Sequence, residues 1–227
     1  MVDEGGGVVN TTNHGGPNAH LVDALAAADP SARLRAALAA GTHPDPRFAD
    51  ALVDRCAVEP DFYVRDMLTW ALCRLPADVT VPRLIHELRS GSAQARSQSL
   101  HTLSKIGDRL AWPAVSALLH DGHDEVARSA WRAAVALVPP GDETALAAEL
   151  VTELGRGDHQ MHLSLSRAFV GLGDGALPVL DAAGTNPDPH TRAHADATRQ
   201  LCHDPDSGFA LSLEMAKRVA VAGPDTQ

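Results

Sequence analysis

The chain has 227 residues, 44% of them hydrophobic and only 4% aromatic, and carries 29 acidic against 19 basic residues for a net charge of −10. A duplex or an anionic membrane surface would be repelled on average unless one face is locally basic, so nucleic acid and membrane are set aside as general partners. No run reaches the roughly 18 apolar residues that a membrane helix needs, and a soluble, cytoplasmic protein is expected.

Residues 1–18 are rich in Gly, Asn and Thr, begin acidic and never gather an apolar core, so they are read as a disordered tail and not as a signal peptide. The repeat region, residues 19–205, opens with LVDALAAA and ARLRAALAAG joined by Asp29-Pro30. Five further helix pairs follow, in which a short apolar helix A precedes a longer helix B. The A helices are PRFADALVDRCA, VPRLIHELRS, AWPAVSALLH, ALAAELVTELG and ALPVLDAA. Pro46, Pro82, Pro113 and Pro178 are assigned to first turns of A helices, where a missing N–H costs nothing. Residues 206–222 are expected to form a helix whose stripe of Phe209, Leu213, Ala216 and Ala220 caps the end of the stack.

The pattern is clearest between Asp61 and Gly107. Small or apolar residues stand three, seven and ten places after Arg65 (Leu68, Leu72, Leu75) and after Arg96 (Ser99, Leu103, Ile106), which marks one helix face. The same template is anchored at Arg33, Arg65, Arg96, Arg128, His162 and Arg192, at steps of 32, 31, 32, 34 and 30 residues. A near-constant period of this length is the mark of stacked helix pairs. Ala and Leu suit helices packed closely through small side chains and argue against a sheet.

With proline near the start of A, aspartate in the turn and Val-Arg opening B, residues 20 to 203 resemble the HEAT repeat, in particular the short HEAT-like units of phycobilisome lyases. The resemblance implies an all-α fold, a right-handed α-solenoid of about six helix pairs. It also implies a structural ladder of arginines, matched here by Arg33, Arg65, Arg96, Arg128 and Arg192, with Asp61, Asp124 and Asp188 as turn carboxylates. His162 departs from that ladder.

No nucleophile elbow, phosphate loop, dinucleotide fingerprint or triad spacing occurs, and no catalytic residue is assigned. Cys56, Cys73 and Cys202 are read as buried free thiols. His120 with His123, His159 with His162 and His190 with His194 have ligand-like spacings but no recurring acidic third ligand, so neither a metal nor another cofactor is assigned. The HEAT-like deoxyhypusine hydroxylases carry His-Glu dipeptides early in their B helices, and none follows the anchors here. The HEAT-like glycosylases that act on alkylated DNA bases use a basic groove with aromatic residues and an Asp; Trp70, Trp131 and Asp66 echo those residue types, and Trp131 falls at a core offset. That DNA-binding enzyme class is the alternative reading.

The leading expectation is a non-catalytic scaffold or adaptor that holds a protein or peptide partner on the concave wall of B helices. Positions two, five and nine after the anchors point outward there, giving Met67, Trp70 and Arg74, then Gln98, His101 and Lys105, and Arg167. Trp and Arg are the residues that most often anchor interfaces. Tucking of Trp70 between repeats is an equal reading at this point.

Overall fold

A computed structural model describes residues 17–204; the expected tail, except its last two residues, and the expected capping helix lie outside the described residues. The described chain is an all-α solenoid of twelve helices with no strand. They pair as α1 (Pro17–Leu25) with α2 (Pro30–Thr42), α3 (Ala49–Val58) with α4 (Phe62–Cys73), and α5 (Ala77–Glu87) with α6 (Ala93–Ile106). Then come α7 (Trp112–Ser116) with α8 (Asp124–Leu137), α9 (Glu143–Leu150) with α10 (His159–Leu172), and α11 (Leu177–Ala183) with α12 (Pro189–His203). Each B helix packs on the next along one layer, α2 on α4, α4 on α6, α6 on α8, α8 on α10 and α10 on α12.

Small side chains set the spacing of the layers. Ala37, Ala71, Ala130, Ala133 and Ala134 have no exposed surface, and Leu52, Leu68, Leu72, Leu100, Leu103 and Leu137 fill the space between them in one continuous core. At about 25 cal/mol per Å² of apolar surface removed from water, such leucines supply about 1.5–3 kcal/mol each. Trp131 is fully buried and its indole N–H donates to the Leu119 carbonyl at 2.9 Å, so this aromatic belongs to the core.

The turns are capped as their sequence requires. Asp29, Asp61, Asp158 and Asp188 accept backbone N–H bonds as N-caps of α2, α4, α10 and α12, and Ser92 does so for α6. Gly107 ends α6 with φ 75° and ψ 15°, a left-handed conformation that a residue with a Cβ adopts only at a cost.

Counted from the N-cap, the anchor falls four residues in for Arg33, Arg65, Arg96, His162 and Arg192. There the guanidinium folds back over its own turn. Arg33 Nη1 donates to the Ala27 and Ala28 carbonyls, Arg65 Nη1 to Glu59 and Pro60, Arg96 Nη1 to Ser90, and Arg192 Nη1 to Asn186 and Pro187, at 2.6–2.9 Å. These carbonyls belong to the turns that follow the A helices, which end at Leu25, Val58, Glu87 and Ala183. Cross-repeat bonds add to this: Arg33 pairs with Glu59, and Arg96 Nε lies 3.3 Å from Asp121.

Arg128 does not belong to this set. The N-cap of α8 is His123, so Arg128 is five residues in, and Ala127 takes the anchor position and is fully buried. Arg156, from the following turn, reaches the Asp121 carbonyl instead, at 2.7 Å. One residue of offset turns a side chain by about 100° around the helix, which moves Arg128 from the turn to the inner wall.

Three other local expectations are corrected. Pro82 lies inside α5, because that helix starts four residues before the apolar run, at Ala77; the N–H lost at Pro82 is an interior one. Only Cys56 is buried, Cys202 being half-buried and Cys73 exposed. His190 and His194 share a helix, yet His190 is exposed and His194 is fully buried.

Candidate functional site: a cationic cavity on the inner wall

Three consecutive B helices line a cavity of about 420 Å³. Helix α4 contributes Phe62, Arg65, Asp66 and Thr69; α6 contributes Ser97, Gln98 and His101; α8 contributes Glu125, Arg128, Ser129 and Arg132. The spacings explain the alignment, since residues three, four and seven apart share a helix face.

Hydroxyls form part of the wall. Ser97 and Ser129 are buried and their Oγ atoms lie 2.9 Å apart, while Arg132 Nη2 donates to Ser129 Oγ at 3.3 Å. Thr69 is 4% exposed, and its hydroxyl has no hydrogen-bond partner among the described residues. Nε of Arg128 is likewise buried without an acceptor. Buried donors of this kind cost stability unless something satisfies them.

The charge of the wall is unbalanced. Arg33, Arg55, Arg83, Arg96 and Arg156 each have a carboxylate within 4 Å, whereas among the described residues Arg65, Arg128 and Arg132 have none. Burial, and then the neighbouring Arg128 cation, lower the pKa of Arg132. The pKa of His101 is lowered by burial first and then by Arg132 and Lys105, with Asp66 opposing. Asp66 and Glu125 stand exposed at the mouth. Phe62 and Tyr63, 66% and 72% exposed, stack edge to face with centroids 5.7 Å apart at the start of α4.

Of the seven inner-wall residues expected from the sequence, Gln98 and His101 line the cavity. Trp70 does not: its ring lies over Gly41 of α2, so it fills the seam between the first two repeats and stays 38% exposed. Met67 is half-buried against the core. Arg74 is the exposed C-cap of α4, Lys105 lies exposed in the last turn of α6, and Arg167 is exposed on α10 outside the cavity. Sequence reading missed Arg132 and gave Arg128 to the ladder. Counting from the turn instead of from the nearest arginine is the signal that separates the two roles.

A second cavity, of about 490 Å³, lies between α7 and α9, lined by Trp112, Leu119, His120, Leu146 and Glu149 among others. Its histidine is already satisfied, for His120 Nδ1 bonds Glu153 Oε1 at 2.6 Å and Nε2 lies 3.5 Å from Glu149. The Glu153 bond, ahead of burial, raises the pKa of His120. Among the described residues no group of three or more His, Cys, Asp or Glu is placed to hold a metal ion, and no helix is long and apolar enough to cross a membrane.

Among solved structures, the chain is similar to the complex of CpcE and CpcF of phycocyanin lyase from Nostoc sp. PCC7120, at 18% identity and a TM-score of 0.36, over 94% of this chain and 99% of that one. No curated protein matches the sequence. Residues 49–137 match the family model for HEAT repeats. They run from α3 to α8, the three helix pairs whose B helices build the cationic cavity. Residues 49–137, the pairs that carry the site, thus match HEAT repeats, and helix pairs run on through the rest of the described stack.

Proposed function

We propose that this protein is a non-catalytic binding module, acting in the cytoplasm, that holds a peptide segment of a protein partner across α4, α6 and α8. The observation that carries this reading is the group of three arginines without carboxylate partners among the described residues, lining one cavity of a protein with net charge −10. Solenoids use their curved inner surface for extended partners, and an exposed aromatic pair beside arginines has the composition of an interface anchor. The segment presents an anionic side chain to Arg128 and Arg132 and lays apolar surface on Phe62 and Tyr63.

Selection from a displayed random-peptide library tests it. Wild-type protein enriches sequences that carry one acidic residue among neutral or basic ones, and Arg128→Glu/Arg132→Glu abolishes that enrichment while the helical circular dichroism is unchanged. Equal enrichment by both proteins would remove the cavity as the binding site. Abasic-site DNA at two salt concentrations is the counter-probe for the DNA-enzyme alternative, because phosphate contacts make affinity fall steeply with salt.

A further inference from the structure

We infer that the anchor of this cavity is a phosphorylated serine or threonine side chain of the partner peptide, held by Arg128, Arg132 and the Thr69 hydroxyl. The inference rests on the peptide-binding reading above and specifies its chemistry. Three features of the wall favour a phosphoryl group over a carboxylate.

The first is charge. Arg65, Arg128 and Arg132 have no carboxylate within 4 Å among the described residues, and the two carboxylates that also line the cavity, Asp66 and Glu125, stand exposed to water, which screens them. A phosphomonoester brings a charge of about −1.5 to −2 at pH 7, whereas a carboxylate brings one. The second is the number of donors. Nε of Arg128 and the hydroxyl of Thr69 are buried and lack partners. The Ser97–Ser129 pair has two hydroxyl hydrogens for one mutual bond, and Arg132 occupies a lone pair of Ser129, so one serine O–H remains to be given away. A phosphoryl group offers three acceptor oxygens in a tetrahedral array, and a carboxylate offers two in a plane. The third is the boundary of the site. Phe62 stands at one side of the cavity and stays largely exposed, giving a surface for the peptide on either side of the anchor, while the exposed Asp66 and Glu125 disfavour acidic neighbours. The phosphorylated residue is therefore flanked by neutral or basic ones.

The test uses the full chain and three fluorescent peptide pools, with phosphoserine, serine or glutamate fixed at the centre and neutral or basic residues degenerate around it, together with inorganic phosphate as a separate ligand. Binding is read by fluorescence anisotropy and by NMR shifts of the α4, α6 and α8 amides. The phosphoserine pool binds about tenfold more tightly than the serine and glutamate pools. Arg132→Gln abolishes that preference; Thr69→Val, nearly isosteric and safe for the fold, reduces it several-fold; Arg74→Gln, outside the cavity, leaves it intact. Equal binding of all three pools, with shifts in these helices, would overturn the phosphoryl anchor and leave the peptide groove standing. Absence of shifts with every pool would overturn both readings. Inorganic phosphate binding as tightly as the phosphoserine pool would overturn a peptide occupant in favour of a free-anion site.

Discussion

Arg33 and Glu59 join the first two repeats by a buried two-pronged pair, Nε to Oε2 and Nη2 to Oε1, both at 2.8 Å. Glu59 has no exposed surface and also accepts from Arg55 at 2.7 Å and from the Asp61 backbone N–H at 2.9 Å. Burial pushes its pKa up, but the bonds from Arg33, Arg55 and Asp61 outweigh it and hold the carboxyl down to about 2. Replacing one member of such a group leaves the others buried without their counter-charge. Glu59→Ala therefore destabilises by about 3 kcal/mol or more in urea unfolding at pH 7, and the stability that Glu59 confers above pH 4.5 disappears as pH falls toward 2.

Trp70 rests on Gly41 so closely that a Cβ there would come 2.1 Å from ring atom Cζ3. Gly41→Ala forces the ring outward, and its partial exposure gives it somewhere to go. The expected result is a red shift of tryptophan emission and a loss of about 1–3 kcal/mol. Trp70→Ala lowers the melting temperature and leaves library enrichment by the cavity unchanged, the opposite of what an interface tryptophan would do.

His194 gives the stack an acid sensitivity of its own. Its Nδ1 accepts the Gly155 N–H at 3.0 Å, and its Nε2 faces the Ser166 hydroxyl and the His162 carbonyl at 3.1 and 3.0 Å, so the neutral tautomer fits and an imidazolium does not. Burial, then the neighbouring His162, depress its pKa to about 3. Below pH 6.5 the unfolded chain takes up a proton that the folded chain refuses, so stability falls with falling pH through that window. Between pH 6 and 4.5 the wild type loses about 1.4 kcal/mol per pH unit more than His194→Gln, measured by urea unfolding.

Gly107 ends α6 at positive φ, and an added Cβ would meet open space. Its replacement by alanine thus isolates backbone strain from packing. Gly107→Ala costs about 1 kcal/mol, while Gly122→Ala, also with open space but without positive φ, changes stability by less than about 0.5 kcal/mol.

The helix pairs were legible because their signals are local and repeated: Asp29, Asp61, Asp158 and Asp188 cap where the sequence places turns, and Leu68, Leu72 and Leu103 face the core. The inner wall was less legible. Trp70 stands at an outward offset, but only the glycine opposite it, 29 residues earlier in the chain, decides where the ring goes. Arg128 misleads for a related reason: a template keyed to residue type accepts any arginine near the right spacing, whereas bonding over the turn depends on the distance from the helix start. The Ser97–Ser129 contact and the solitary Thr69 hydroxyl belong to neighbouring helices and carry no signature within either.

The late start of Arg128 relative to its counterparts has a consequence for how a monotonous array acquires an address. Identical units present identical walls, and nothing distinguishes one stretch from the next. A phase slip in a single unit breaks that symmetry without a new motif: it frees a guanidinium from architectural duty at one place along the stack and brings it to the same cavity as Arg132, one helical turn on.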